Sequence, residues 1–178
     1  MSDGDFFHEG RVAELRKAFD QTFVFPPREQ EGVYADLLAV DVGGDPYAVP
    51  LLGLSGLYSG CRIALVPGPV PELIGVAGIR GSAVPVYGLR QFLGYPDAAP
   101  SGWLVVSKES PRAGFSFDGF RAYARVAAAD VVPSSEGGGA RPYLCSAARI
   151  DGVAIPVLDV PILLDEIARK ARAASNSK

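Results

Sequence analysis

The sequence predicts a mainly β protein built from two small barrels of about five strands each, with a helix near each end. Three observations support this prediction. The chain contains 21 Gly and 15 Pro among 178 residues, and both residue types interrupt helices and favour short strands joined by turns. Apolar and polar residues alternate along several segments. A stretch of the chain also repeats itself, which indicates an internal duplication.

The alternating pattern is clearest near residue 38. Leu38, Val40 and Val42 fall on one face of an extended chain, and residues 43–46, Gly-Gly-Asp-Pro, then provide a turn before a second apolar segment. A comparable pair of segments lies at 103–107 and 113–117. Each pair is interpreted as a β-hairpin.

The repeat appears when the chain is aligned with itself at an offset of 71 residues, so that 71–93 lies against 142–164. We interpret it as two copies of one β unit, at about 34–95 and about 102–164, that pack together because about 60 residues bury little apolar area alone. Closure into barrels would protect the strand edges. The alignment has nine identities: Pro71/Pro142, Leu73/Leu144, Ala77/Ala148, Ile79/Ile150, Gly81/Gly152, Ala83/Ala154, Pro85/Pro156, Val86/Val157 and Leu93/Leu164.

Segments outside the repeat carry helical patterns. Residues 1–33 are interpreted as an N-terminal helical extension and linker, with an apolar stripe at Val12, Leu15, Phe19 and Phe23. A closing helix is predicted at about 160–173, with Leu163, Leu164 and Ile167 inward and cations near its end. Residues 174–178 are expected to be a loose tail.

Charge and composition exclude several classes of function. The chain carries 17 Lys and Arg against 20 Asp and Glu, a net charge of −3, so no global positive field would attract nucleic acid. No uninterrupted apolar stretch approaches the roughly 18 residues of a membrane span, so direct membrane insertion is not expected. Without an export signal, the predicted location is cytoplasmic, with Cys61 and Cys145 reduced.

A search for reactive groups predicts no catalytic residue, no metal site and no cofactor. The only histidine, His8, lies in the N-terminal extension, and one His with two distant Cys does not match a zinc-binding spacing. The glycine-rich segment 75–81 lacks the spacing of a phosphate-binding loop, and 53–56 is one residue short of a nucleophile elbow. Cys145 is interpreted as a core residue and Cys61 as a loop residue.

Arg80 breaks the symmetry of the repeat, since its equivalent in the second copy is Asp151. Two interpretations remain open for Arg80: a solvated turn residue, or a guanidinium that contacts a partner. Asp118, directly before Gly119, similarly divides between capping a turn and contacting a partner, and capping is favoured.

Several motifs together resemble the CheW-like domain of bacterial chemosensory coupling proteins. They are the hairpin at 37–50, Val66-Pro67, the segment 74–89 with Ile79-Arg80-Gly81 and Pro85, the segment 114–120 with Asp118, and 155–164. The resemblance covers 34–170. It implies two intertwined SH3-like barrels in a non-enzymatic adaptor that links the cytoplasmic tip of a chemoreceptor to the regulatory domain of a CheA-type histidine kinase.

The resemblance also implies which residues contact each partner. Arg80 matches the arginine of the family's Leu-Arg-Gly turn and Leu54 an apolar groove position, both on the receptor face. Leu51 matches an apolar position on the kinase face, and Gly56 stands where the family has an acidic residue. The protein is expected to be a monomer in isolation. The alternative is a divergent CheW-like scaffold or a regulatory, ligand-binding β protein of another signalling system.

Overall fold

The computed structural model describes residues 33–68, 70–134, 141–144 and 146–175. The predicted N-terminal helix, Cys145 and residues 176–178 of the predicted tail lie outside the described residues. Neither α-helix of the described part is long and apolar enough to cross a membrane.

Within the described residues the chain forms twelve strands, two α-helices and one short 3₁₀ helix. The first copy of the repeat contains β1 (Tyr34–Val42), β2 (Asp45–Pro50), β3 (Leu54–Tyr58), β4 (Ile63–Leu65), β5 (Leu73–Ile79), β6 (Ser82–Gly88) and α1 (Leu89–Leu93). The second contains β7 (Trp103–Ser107), β8 (Gly114–Phe117), β9 (Gly119–Ala127), the 3₁₀ helix Ala128–Asp130, β10 (Val131–Pro133), β11 (Ser146–Ile150), β12 (Val153–Val157) and α2 (Val160–Ser175).

The strands form two six-stranded sheets, and each sheet takes strands from both copies. Sheet 1 has the order β10-β11-β12-β2-β1-β9, and sheet 2 has the equivalent order β4-β5-β6-β8-β7-β3. The first hairpin of each copy has therefore been exchanged between the sheets. The ranges 34–95 and 102–164 describe the duplication in sequence and not the composition of the sheets.

This architecture confirms the predicted fold class of two SH3-like barrels, with one difference in the number of strands. The exchange of hairpins agrees with the intertwined barrels that the family resemblance implies. Each sheet also has six strands, one more than predicted. The strands β4 and β10 are each three residues long, which is too short for an alternating pattern to show in the sequence; Val66-Pro67 follows β4, and β10 contains Val132-Pro133.

The duplication is visible in the backbone of two equivalent hairpins. Strands β5 and β6 pair Ile79 with Ser82, and β11 and β12 pair Ile150 with Val153. Two residues close each turn, and the pairs have nearly the same φ angles: 49° and 79° at Arg80-Gly81, 49° and 80° at Asp151-Gly152. Pro85 pairs with Val76 and Pro156 with Ala147, which are equivalent registers.

The largest core cluster lies between the sheets and combines both copies, as the small size of each copy predicts. Its most buried members include Val40 and Leu89 from the first copy and Phe115, Leu158 and Leu163 from the second. Because burial of apolar surface dominates stability, neither copy would keep its share of this core without the other.

The C-terminal helix α2 begins where the sequence predicts it. Asp159 caps its first turn, because its carboxylate accepts a hydrogen bond from the Ile162 N–H at 3.0 Å. Leu163 and Ile167 are buried, while Leu164 is half-buried against the core. Near the end of α2, the Lys170 ammonium pairs with the buried carboxylate of Glu72, which attaches the helix to the first copy.

Asp118 connects three elements at the junction of the copies. One carboxylate oxygen accepts the Gly43 N–H of the β1–β2 turn at 2.6 Å, and the other accepts Nε of Arg90 in α1 at 2.7 Å. The Asp118 N–H donates to the Asp41 carbonyl at 2.8 Å. Asp118 therefore has the capping role that the sequence favours.

Replacement of Asp118 by alanine should destabilise the protein by about 2 kcal/mol, because it leaves the Gly43 N–H and the Arg90 guanidinium without their partner. Urea denaturation measures the effect. Asp97→Ala is the matched control, since Asp97 accepts one exposed hydrogen bond from Gln91, and it should change stability by less than about 0.5 kcal/mol. Equal stability of the two variants would contradict the junction role of Asp118.

Candidate functional site

The described residues place no group of three or more His, Cys, Asp or Glu side chains where they could hold a metal ion. The Cys61 thiol is free, half-buried and packed against a small apolar cluster of sheet 2. A cleft beside Arg90, Ser101 and Asp118 has a volume of about 20 Å³, enough for about one water molecule. The candidate site considered below is therefore a set of exposed surface residues.

The turn between β5 and β6 holds its first residue in an unusual backbone conformation. Arg80 has a φ of 49°, and among the described non-glycine residues only Asp151 shares a positive φ. The left-handed region costs an L-residue about 1–2 kcal/mol, and Gly or Asn would fit this turn better. Backbone strain of this kind is common at functional sites.

The Arg80 side chain projects from this turn into solvent. Its Cζ atom lies 6.0 Å from the centroid of the Tyr58 ring, at the limit of a cation–π contact. No ion pair involving Arg80 occurs within the part of the chain that the structure describes. Its guanidinium donors are therefore available for an external acceptor.

Tyr58 in turn lies over a glycine of the same strand. A Cβ atom built on Gly56 would lie 2.9 Å from Cε2 of Tyr58, closer than real Cβ contacts. Residues two apart on a strand face the same side, so the ring occupies the space that a side chain at residue 56 would fill. The glycine at this position thus permits the observed position of the tyrosine.

Of the other two predicted residues, Leu54 begins β3, which is an edge strand of sheet 2, and Leu51 lies in the turn before it. Leu54 is half-buried against the main core, and its N–H donates to the Leu51 carbonyl at 3.1 Å. Leu51 is 41% exposed and its neighbour Leu52 is 92% exposed. Single exposed leucines are normal on a protein surface, but two adjacent ones form an apolar patch that can mark an interaction site.

The structure places residues of the two predicted faces next to one another. Leu54, predicted for the receptor face, adjoins Leu51, which is predicted for the kinase face. Arg80 lies beyond the other end of β3 and approaches Gly56 only through Tyr58. Sequence reasoning missed Leu52 and Tyr58. The position of the leucine pair between Pro50 and Gly53 could have indicated an apolar turn.

The fold defines a class of protein: a duplicated, intertwined pair of SH3-like barrels. The sequence model of the CheW-like domain matches residues 36–168. The chain belongs to the CheW-like domain family.

A solved structure shares the fold. The crystal structure of the scaffolding protein TtCheW from Thermoanaerobacter tengcongensis aligns with a TM-score of 0.64 and 14% sequence identity, over 72% of this chain and 90% of that one. No curated protein sequence matches the chain.

Asparagine substitutions at the two equivalent turns should separate backbone strain from side-chain contacts. Asp151→Asn should raise the free energy of unfolding by up to about 1 kcal/mol, because Asn adopts the left-handed conformation more readily. Arg80→Asn should gain the same backbone stabilisation but lose the contact with Tyr58. Its free energy of unfolding should therefore stay within about 0.5 kcal/mol of the wild-type value. Urea denaturation of both variants tests this. A loss above about 1 kcal/mol in both would show that the turn side chains are structural.

Proposed function

We propose that this protein is a non-enzymatic chemosensory adaptor that couples the cytoplasmic tip of a chemoreceptor to the regulatory domain of a CheA-type histidine kinase. Membership of the CheW-like domain family supports the proposal, as does the fold shared with a scaffolding protein. The observation that carries it is Arg80, which is held on a strained turn, exposed, and without an ion pair among the described residues.

Arg80 and Leu54 form the proposed receptor face. A guanidinium presents several donors in a fixed plane and binds carboxylates in two-point contacts, which suits recognition of a polar helix surface. Leu54 offers a half-buried apolar position at the beginning of β3, whereas Arg80 lies near Tyr58 at the end of that strand.

Leu51 and Gly56 form the proposed kinase face, to which the structure leads us to add Leu52. An edge strand leaves one row of backbone N–H and C=O groups unpaired, so β3 can also pair with a strand of a partner. The exposed Leu51 and Leu52, in the turn just before β3, would supply apolar anchors for such a contact. Standard interfaces bury about 800 Å² on each partner. A kinase interface of that size would include further residues around Leu51, Leu52 and Gly56.

In this proposal residues 34–170 form the adaptor domain and 1–33 an extension to it. The protein acts in the cytoplasm, where the receptor tip and the kinase meet, and it is monomeric without them. It binds both partners through surface contacts and uses no cofactor.

Arg80→Asn should weaken binding to a chemoreceptor tip fragment from the same organism about 30-fold, the scale of an interface hot spot worth about 2 kcal/mol. Titration calorimetry measures the affinity. Asp151→Asn is the matched control, because it changes the equivalent turn of the other sheet, and it should bind with wild-type affinity. Wild-type affinity of the Arg80 variant would show that the proposed receptor face is misplaced.

Leu52→Ser should weaken binding to the regulatory domain of the kinase about tenfold while leaving the melting temperature unchanged, since the leucine is almost fully exposed in the free protein. Leu65→Ser serves as the control, because Leu65 is 71% exposed on β4, the other edge strand of sheet 2. Equal effects of the two substitutions would indicate general loss of apolar surface and contradict a specific anchor.

A further inference from the structure

Tyr58 contacts elements that carry both proposed faces. The Arg80 guanidinium lies on one side, 6.0 Å from the ring centroid. On β3 the outer atoms of the same ring, Cε2, Cζ and Oη, cover Gly56 at 2.9–3.0 Å from the position that a Cβ would take. One side chain therefore joins the receptor-facing arginine to the kinase-facing glycine.

The position of the Tyr58 ring depends on the absence of a side chain at residue 56. The atoms that a Cβ would meet are the far end of a flexible side chain and not backbone. A substitution at Gly56 would consequently rotate the ring away without disrupting the strand. The ring can thus take more than one position at little cost to the fold.

The ring also matters to Arg80, because a long exposed side chain otherwise samples many rotamers. Ordering such a side chain on binding costs free energy, which a pre-existing contact reduces. The structure shows one contact of this kind for the guanidinium within the described residues, the Tyr58 ring. Loss of that contact would leave Arg80 present but poorly oriented.

We propose that Tyr58 is a positioning residue that couples the two partner faces. This inference rests on the proposed adaptor function. A kinase domain packed on β3 at Gly56 restricts the Tyr58 ring, the restricted ring orders Arg80, and the ordered arginine binds the receptor more tightly. Because coupling between binding sites is reciprocal, the receptor raises the affinity for the kinase by the same factor.

The physical link can be tested in the isolated protein, without either partner. The Arg80 Nε–H signal in nuclear magnetic resonance spectra reports the aromatic ring beside it. We expect this signal to shift in Tyr58→Leu and in Gly56→Ala, and to stay near its wild-type position in Tyr58→Phe, which keeps the ring. Gly78→Ala is the matched control: Gly78 lies two residues before Arg80, and a Cβ there would have nothing within 4 Å. An unchanged signal in Gly56→Ala would overturn the link.

Binding to the receptor tip fragment tests the functional consequence. Gly56→Ala and Tyr58→Leu should each weaken binding about two- to fivefold, the range of an exposed cation–π contact. The double variant should be no weaker than Tyr58→Leu alone, because both changes remove the same contact. Tyr58→Phe and Gly78→Ala should bind like the wild type. Additive effects in the double variant would overturn the inference.

A three-component titration completes the test. A saturating amount of the kinase regulatory domain should raise the affinity of wild-type protein for the receptor fragment about two- to fivefold, and should have no such effect in Tyr58→Leu. Equal receptor affinity with and without the kinase domain would overturn the coupling and leave the adaptor function intact. If the wild type binds neither partner, the proposed function fails, and the spectra alone decide whether Tyr58 holds Arg80.

Discussion

The exchange of hairpins between the two sheets is the constraint on which the rest of the structure depends. Within each copy neighbouring strands are antiparallel. The copies meet where β6 runs parallel to β8 and β12 parallel to β2, and also where β9 pairs with β1 and β3 with β7 in antiparallel orientation. The Leu158 N–H donates to the Ala48 carbonyl at 2.8 Å beside the second junction, and Asp118 connects hairpin, helix and strand nearby. The core, the closing helix and the edge strand β3 all have their positions because these junctions form.

The duplication could be predicted from the sequence because its turns use residues with special backbone requirements. Gly81 and Gly152 both have a φ near 80°, and such positions keep glycine in each copy. The exchange could not be predicted from the repeat alone. A repeat shows which residues are equivalent, but a hairpin has the same local hydrogen bonds whichever sheet it joins. The resemblance to a family, and not the periodicity, indicated the intertwined arrangement.

The candidate site was predictable to a similar extent. Arg80 could be identified from the sequence because its equivalent in the second copy, Asp151, has the opposite charge. Tyr58 did not, because its role depends on an approach between β3 and the β5–β6 turn. In the strand order β3 is separated from β6 and β5 by β7 and β8, so these elements meet only when the sheet curves into a barrel. Leu52 was missed for another reason, since exposure of a leucine is a property of the folded surface.

The exchanged hairpins have a consequence for damaged or incompletely made copies of the protein. A chain that ends in the 96–101 link would hold two of the six strands of sheet 1 and four of the six strands of sheet 2, so neither sheet would be complete. In a complete chain, separation of the two copies breaks strand pairs in both sheets together. Neither sheet can therefore form before the second half of the domain has been made, and the two barrels form together.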